Sequence, residues 1–315
     1  MQKIPIGISA LMSSRLAYGC WRLAGTWTPA EVTPATEQEG RQAVIAAFES
    51  GYTLFDHADI YCRGMAERIF GQVLREVSGM RQQILIATKG GIRVAGDPVP
   101  GAPGRYDFSA EHIIRACEGS LERLGVETID LYQLHRPDYL ADPVEVAQAF
   151  AQLQRAGKVR YFGLSNTRPS LVAVLQAACP MPLVVHQVEI SLAKLDCFTD
   201  GTLDQCLQNS LTPLAWSPLA KGLLGDGNNP NFPLRNVAGK VDSVLEVLDA
   251  LAAAHGASRT GIALAWLLKH PAKIIPIIGS TNPGRIREAV KALAVELSRE
   301  EWYRLLIAAR GEPLP

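Results

Sequence analysis

Residues 53–89 read TLFDHADIYCRGMAERIFGQVLREVSGMRQQILIATK. The stretch begins with a short apolar run, TLFDH (53–57), continues through a helical pattern, AERIFGQVLREV (66–77), and returns to a second apolar run, QILIATK (83–89). Both apolar runs are continuous rather than alternating, which is typical of parallel strands covered on both faces. The order of strand, helix and strand predicts a βαβ unit.

The pattern of a strand followed by a helix recurs eight times along the chain. The predicted strands are RLAYGC (15–20), TLFDH (53–57), QILIATK (83–89), IDLYQLH (129–135), VRYFGLS (159–165), LVVHQVEI (183–190), TPLAWS (212–217) and KIIPIIGS (273–280). The predicted helices cover 36–52, 66–77, 109–125, 143–157, 169–178, 202–209, 241–256, 260–270 and 283–293. Eight units predict an α/β fold, a closed (β/α)8 TIM barrel. A further pattern, SREEWYRLLIAAR (298–310), predicts an extra C-terminal helix.

An open, doubly wound sheet is the alternative arrangement of such units. It requires a G-x-G-x-x-G fingerprint after the first strand, and LAYGCWRLAG (16–25) lacks one. No Gly/Ser linker or shift of composition divides the chain, so we expect residues 1–315 to form a single domain. The Gly-rich and Pro-rich segments 90–110 and 222–239 are expected to be functional or disordered, because long loops are uncommon in compact domains.

The composition argues against several classes of partner. The chain has 31 Lys and Arg residues and 31 Asp and Glu residues, so it lacks the basic excess of a nucleic-acid-binding protein. No stretch approaches the roughly 18 apolar residues of a membrane span, and the N-terminus does not resemble a secretory signal. The six cysteines are scattered without a C-x-x-C pair. We therefore expect a cytoplasmic protein with reduced thiols, among which Cys62 could be exposed in a site.

Ionisable side chains lie at the ends of three successive predicted strands. Asp56 ends the second strand with Tyr61 just beyond it, Lys89 ends the third, and His135 ends the fourth. In a barrel these ends face one mouth, where catalytic groups are expected. A Lys held by an Asp would lower the pKa of a neighbouring Tyr. Such a Tyr could donate a proton to a substrate oxygen that the His orients. This chemistry fits carbonyl reduction with hydride supplied by a cofactor.

The chain resembles the aldo-keto reductases over essentially its full length, and it is most similar to a bacterial general-oxidoreductase subgroup. The motifs that carry the resemblance are FDHADIY, ILIATKGG, DLYQLHRPD, GKVRYFGLSN, HQVEIS, LAWSPLAKGLL and PIIGSTNPGRIREA, in this order. The resemblance implies that Tyr61 is the general acid, that Asp56 pairs with Lys89, and that His135 positions the carbonyl. It further implies a metal-free enzyme that reduces aldehydes and ketones to alcohols with NADPH, NADH being the less favoured cofactor.

The resemblance also implies a set of cofactor-binding residues. Ser165, Asn166 and Gln187 match residues that bind the nicotinamide carboxamide, and Trp216 matches the aromatic residue that stacks on the nicotinamide ring. Ser217 and Leu219 match a segment around the pyrophosphate. The adenosine 2′-phosphate site is matched by Ser280, Thr281, Asn282 and Arg285. An Arg fork and a helix N-terminus both suit a phosphate.

Four positions depart from the family's usual pattern. Gly279 stands where many members have Lys, which weakens the expectation of strict NADPH preference, and Ala289 stands where Asn is frequent. His57 stands where Thr or Ser is frequent, and His186 stands where Asn is frequent. We expect a structural role for His57. Asp59 is expected to cap a helix or to face solvent.

The sequence leaves two other functions open. A metal-dependent barrel hydrolase could use Asp56, His57, Asp59 and His135 as ligands for Zn²⁺, although that reading leaves Lys89 without a role. A non-catalytic member of the family could keep the nucleotide site as a sensor or regulatory subunit. The expected partner of the enzyme is a small-molecule carbonyl compound, with no nucleic acid and no membrane involved.

Overall fold

The computed structural model describes residues 1–226 and 238–314, with side chains from 242 onward in the second range. The strands are β1 Lys3–Pro5, β2 Met12–Ser14, β3 Ala17–Gly19, β4 Leu54–Asp56, β5 Leu85–Gly90, β6 Ile92–Arg93, β7 Arg105–Tyr106, β8 Ile129–Leu134, β9 Val159–Ser165, β10 Leu183–Glu189, β11 Thr212–Trp216 and β12 Ile275–Ile278. The α-helices are α1 Pro34–Glu49, α2 Met65–Glu76, α3 Met80–Gln83, α4 Ala110–Leu124, α5 Pro143–Arg155, α6 Pro169–Ala178, α7 Thr202–Gln208, α8 Ala238–His255, α9 Arg259–Leu268, α10 Pro283–Val290 and α11 Arg299–Arg310.

Eight of the described strands form a closed barrel in the order β3, β4, β5, β8, β9, β10, β11, β12. All neighbours in this barrel are parallel, and β12 returns to β3 with Ile277 opposite Ala17. The predicted (β/α)8 barrel and the C-terminal helix, α11, are therefore confirmed. The first and last barrel strands are shorter than their apolar runs: the turn after β3 begins at Cys20, whose N–H donates to the carbonyl of Asp56.

Two antiparallel hairpins lie outside the barrel and were not predicted. The first pairs β1 with β2, and its buried Ile4, Ile6 and Leu11 cluster with the side chains inside the barrel. The second pairs β6 with β7 inside the segment 90–110. The segment 222–239 lies largely outside the described residues. No helix in the described part of the chain is both long enough and apolar enough to cross a membrane.

Several helices begin where the sequence supplies a side-chain oxygen for an unpaired N–H. Thr33 caps α1 and Ser298 caps α11, each as part of a reciprocal capping box. Ser109, Asp142 and Asn282 accept hydrogen bonds from the first turns of α4, α5 and α10. Because all barrel strands are parallel and the helices alternate with them, the carboxyl ends of the strands and the N-termini of the helices that follow share one face of the molecule.

The core is divided between the barrel interior and the layer beneath the helices. Ala17, Leu54, Ala87, Leu131 and Leu214 are fully buried inside the barrel. Three further clusters pack the helices against the outside of the strands. Since both faces of each strand are covered, the strands can be continuously apolar until the mouth of the barrel, where polar side chains take over.

Candidate active site

The carboxylate of Asp56 and the amine of Lys89 form a buried ion pair at the ends of β4 and β5. Lys89 Nζ lies 2.7 Å from each carboxylate oxygen of Asp56 and 2.7 Å from the carbonyl oxygen of His57. An ammonium group has three N–H donors, so these contacts use all of them. Burial lowers the pKa of Lys89, and the negative charge of Asp56 opposes that effect.

Tyr61 lies beside this pair because residues 57–59, directly after β4, continue to hydrogen-bond with β5. The N–H of His57 donates to the carbonyl of Ala87, and the N–H of Asp59 donates to the carbonyl of Lys89. Lys89 Nζ lies 5.5 Å from the centre of the Tyr61 ring. Cys62 and Arg63, directly after Tyr61, have φ values of 46° and 50°. Side chains other than Gly adopt that region at a cost of about 1–3 kcal/mol each, so the surrounding structure must hold this turn in place.

His135 lies at the end of β8, beside Tyr61. The backbone N–H of His135 donates to the carbonyl of Gly90. The imidazole ring stands edge-on to the Tyr61 ring with 5.9 Å between centres. Burial lowers the pKa of His135 well below its ordinary value, and the positive charges of Lys89 and Arg136 act in the same direction. The imidazole is therefore neutral near pH 7 and can donate one N–H to a substrate oxygen.

The pKa of Tyr61 differs from the sequence-based expectation. We expected Lys89 to lower it, but the pKa of the phenol is raised well above 10. Burial is the largest cause, followed by the negative charge of Asp56. Lys89 and Asp56 neutralise each other, so their pair offers Tyr61 little net positive charge. The phenol is thus protonated at neutral pH, which is the state that a proton donor requires.

A buried carboxylate, Glu67, connects the segments that carry Tyr61 and Lys89. Glu67, on α2, accepts a hydrogen bond of 2.6 Å from the hydroxyl of Thr88 and one of 2.7 Å from the Nε of Arg123, on α4. The Arg123 side chain packs so closely on Gly64 that a Cβ there would lie 2.4 Å from its Cδ. We name these three residues, Thr88, Glu67 and Arg123, the Glu67 bridge. It fixes the turn after Tyr61 against the strand that ends in Lys89.

Three of the predicted nicotinamide-binding residues form a hydrogen-bonded chain at the ends of β9 and β11. The Nδ2 of Asn166 donates to the Oγ of Ser165 at 2.7 Å, and the Nε1 of Trp216 donates to the Oδ1 of Asn166 at 2.9 Å. The fourth residue, Gln187, lies deeper in the barrel. Its Nε2 donates to Asp56 at 2.8 Å, so this amide contacts the ion pair directly.

The predicted phosphate-binding residues lie at the start of α10 and after β11. Asn282 caps α10 by accepting from the N–H of Arg285 at 3.1 Å, and its own N–H donates to the hydroxyl of Ser280 at 3.2 Å. Thr281 lies between these two residues. After β11, Ser217 has a φ of 50° and Leu219 precedes a short 3-10 turn. These residues therefore fall into two groups, one directly after β11 and one directly after β12.

Gly279 has a structural explanation. A Cβ at this position would lie 3.1 Å from the Nε1 of Trp21, which is closer than ordinary van der Waals contact. The indole of Trp21 therefore occupies space that a Lys at position 279 would need. The expectation that the missing Lys weakens selection between NADPH and NADH remains a prediction.

Two expectations, for Asp59 and Cys62, were wrong. Asp59 does not face solvent: its Oδ1 is buried without a hydrogen-bond partner in the described part of the chain, and burial raises its pKa to about 8. Cys62 is buried, as are the other five cysteines, and all six are unpaired. Ala289 is also buried, within the cluster under α1 and α2.

The side chains of His57 and His186 are fully buried. The ring of His57 is fully buried edge-on to Phe70 with 4.4 Å between centres, and burial lowers its pKa to about 3. The Nε2 of His186 accepts from the N–H of Thr167 at 3.2 Å, and burial lowers the pKa of His186 to about 4. Both imidazoles are therefore neutral at pH 7.

Arg136 and Trp27 were missed as residues of the site. The guanidinium of Arg136 lies 5.6 Å from the ring centre of Trp216. The indole of Trp27 stands edge-on to Tyr61 with 6.3 Å between ring centres. The signal for Arg136 was its place directly after His135 at a strand end. Trp27 lies 7 residues after Cys20, in a loop whose path no local pattern predicts.

The alternative of a metal-dependent hydrolase has no ligand set in residues 1–226 and 242–314. In these ranges no three His, Cys, Asp or Glu side chains are grouped so that they could hold a metal ion. Of the four ligands considered, Asp56 is engaged by Lys89 and Gln187, and His57 points to the helix layer.

Comparisons with known proteins agree with this arrangement. The sequence profile of the Aldo/keto reductase family matches residues 15–309. A 6-dehydroglucose reductase of Novosphingobium aromaticivorans is 41% identical over 98% of this chain and 96% of its own. A 6-dehydroglucose reductase of Agrobacterium fabrum is 37% identical over 99% of both chains. The solved structure of the glycerol dehydrogenase AKR11B4 from Gluconobacter oxydans, 26% identical, superposes with a TM-score of 0.86 over 99% of this chain and 97% of that one.

The family profile spans the whole barrel, and the relatives match over nearly their full length. Both comparisons therefore assign the chain to the same family. The reduction of carbonyl compounds by an oxidoreductase with NADP(H) is the general activity associated with that assignment. The chain belongs to the aldo/keto reductase family.

Proposed function

We propose that the protein is an NADPH-dependent reductase of aldehydes and ketones, with Tyr61 as the proton donor. The observation that carries the proposal is the position of a protonated Tyr61 beside the Asp56–Lys89 ion pair and the neutral His135. When bound, NADPH supplies the hydride. The names of two relatives, both 6-dehydroglucose reductases, support a polyhydroxylated aldehyde as the substrate class of this chain.

The side chains at the mouth fit a nicotinamide nucleotide. Asn166 and Ser165 offer amide and hydroxyl groups that complement a carboxamide, and Trp216 offers a partly exposed aromatic ring beside them. Arg285 and Ser280 lie at the N-terminus of the eight-residue helix α10. An Arg fork combined with a helix N-terminus favours a phosphate, so we assign this group to the 2′-phosphate that distinguishes NADPH from NADH.

Each catalytic side chain has one task in this proposal. His135 donates an N–H to the carbonyl oxygen and orients it toward Tyr61. As negative charge develops on that oxygen, it becomes more basic than the phenolate, so the proton moves from Tyr61 even though the pKa of Tyr61 is raised. Lys89 then lies near the phenolate that forms, and Asp56 keeps the amine in place.

The substitution Tyr61→Phe tests this proposal. Single-turnover reduction of an aromatic aldehyde by enzyme with prebound NADPH should slow by about 10²- to 10⁴-fold, the usual contribution of general acid catalysis. Binding of NADPH should be retained, because the ring remains. Tyr106→Phe, on the β6–β7 hairpin, is the matched control and should keep the wild-type rate.

Two results would contradict the proposal. A wild-type rate in Tyr61→Phe would mean that another group supplies the proton. Tight binding of NADPH by the wild type, without turnover of any aldehyde or ketone in a panel, would favour the alternative of a non-catalytic sensor.

A further inference from the structure

An exposed tryptophan stands beside the proposed proton donor. The side chain of Trp27 is 56% exposed, yet its ring lies 5.5 Å from that of Trp21 and 6.3 Å from that of Tyr61, measured between centres. Single exposed hydrophobic residues are common on protein surfaces. This one differs because its ring is the first of a row of contacting rings, Trp27, Tyr61 and His135, that leads into the site. We name this row the aromatic wall.

The indole is positioned by its own loop and not by burial. The hydroxyl of Thr26 donates to the carboxylate of Glu31 at 2.6 Å, and the N–H of Thr28 donates to the Thr26 hydroxyl at 3.2 Å. A short 3-10 turn, Pro29–Glu31, follows directly. These contacts hold Trp27 at the mouth with its surface open to solvent.

A charged side chain with unused donors faces the same mouth. Arg136 has five N–H donors, and among the described residues nothing accepts a hydrogen bond from its guanidinium; its contact there is with the ring of Trp216, 5.6 Å away. The half-buried carboxyl of Glu189, at the end of β10, interacts electrostatically with Arg136 and Lys194. The mouth therefore combines an apolar ring surface with polar groups that a hydroxylated ligand can satisfy.

We propose that Trp27 and Arg136 select polyhydroxylated aldehydes, Trp27 by stacking on the C–H face of the substrate and Arg136 by donating to its hydroxyl groups. This inference rests on the proposed function, because it assumes that the carbonyl oxygen binds at Tyr61. The rings of Tyr61 and Trp27 lie 6.3 Å apart between centres, so a substrate whose carbonyl oxygen accepts from the Tyr61 hydroxyl binds next to the indole. Pockets of this kind combine aromatic surface with a few placed polar groups.

The class of substrate follows from the two halves of the site together. An alkyl aldehyde lacks the polarised C–H groups that hydroxyl-bearing carbons present to an indole face, and it leaves the donors of Arg136 without partners, which costs free energy if water is displaced. A six-carbon aldehyde with hydroxyl groups satisfies both, so selection should appear as a preference between aldehydes of equal length.

The test compares 6-dehydroglucose with hexanal, which has six carbons and no hydroxyl groups. For each enzyme we would measure the ratio of kcat/KM for the two substrates, since a change in the chemical step common to both cancels in that ratio. Trp27→Ala should lower the ratio by about tenfold, mainly through KM, whereas Trp27→Phe should lower it less. Arg136→Met should also lower it by about tenfold.

Tyr139→Ala is the matched control, because Tyr139 is 82% exposed after β8 and touches no ring of the aromatic wall. Its ratio should equal that of the wild type. Unchanged ratios in Trp27→Ala, Trp27→Phe and Arg136→Met, in a wild type that reduces both aldehydes, would overturn this inference and leave the proposed function intact. A wild type that reduces neither aldehyde would instead count against the proposed function. Thermal unfolding of each variant identifies any that fails to fold.

Discussion

The buried carboxyl of Asp59 should make the stability of the protein depend on pH in a way that one substitution removes. Its Oδ1 has no hydrogen-bond partner among the described residues, and the nearby carboxylate of Glu67 adds to the effect of burial. The pKa of Asp59 is raised from 3.8 to about 8. The folded protein therefore keeps a proton on Asp59 at pH 7 that the unfolded chain releases. Asp59→Asn replaces the acid with a neutral group of the same shape.

The size and sign of the effect follow from this shift in pKa. Between pH 4 and pH 8 the folded state binds about one more proton than the unfolded state, so the contribution of Asp59 to stability falls by about 1.4 kcal/mol per pH unit as pH rises. That contribution is fully present below pH 4 and lost above pH 8. Over the whole interval it corresponds to on the order of 5 kcal/mol. The Asn variant lacks this dependence.

Urea unfolding at half-unit intervals from pH 5 to pH 8.5 measures the difference. The free energy of unfolding of Asp59→Asn minus that of the wild type should increase by about 1.4 kcal/mol per pH unit up to pH 8 and then become constant. Asp204→Asn, at an exposed position on α7, is the control and should follow the wild-type curve. A difference between Asp59→Asn and the wild type that stays flat from pH 5 to pH 8 would refute the reasoning, because it would mean that Asp59 is ionised in the folded protein.

Three further predictions concern the cofactor and the proton. Arg285→Ala should raise the dissociation constant of NADPH at least tenfold more than that of NADH, as read by fluorescence titration; equal changes would show that Arg285 does not contact the 2′-phosphate. Titration with NADP⁺ should change the tryptophan fluorescence of the wild type, because the indole of Trp216 is expected to stack on the nicotinamide. The change should be smaller in Trp216→Ala, and the turnover rate of this variant should be lower. Lys89→Met should slow single-turnover reduction, and the double variant with Tyr61→Phe should be little slower than the poorer single variant, because the two side chains act on one proton. Rate losses that multiply would contradict that coupling.

Much of the fold could be predicted because each barrel strand carries its own apolar run. The run VRYFGLS (159–165) coincides with β9, and PSLVAVLQAA (169–178) coincides with α6. The β1–β2 hairpin was missed because its strands have three residues each, too short for a periodic pattern to develop. Its stability comes from Ile4 and Leu11, which pack under the barrel.

The candidate site divides in the same way. Asp56, Lys89 and His135 could be predicted because strand ends meet at one mouth whatever the loops do. The burial of Asp59 and the raised pKa of Tyr61 could not, because they depend on how α2 and α4 fold back over the turn. Glu67 and Arg123 lie 56 residues apart in the sequence, and no local pattern indicates that they meet.

The Glu67 bridge has a consequence for how this enzyme can diversify. The bridge ties the turn after Tyr61, the proposed proton donor, to the strand of Lys89, so we expect changes in α2 or α4 to disturb the proposed chemistry. The loop of Trp27 is held by the contact between Thr26 and Glu31, which is independent of the bridge. We therefore expect descendants of a duplicated gene to exchange their substrates through the Trp27 loop while inheriting the reaction unchanged. Laboratory libraries confined to residues 20–33 should retain far more active clones than libraries of equal size in α2.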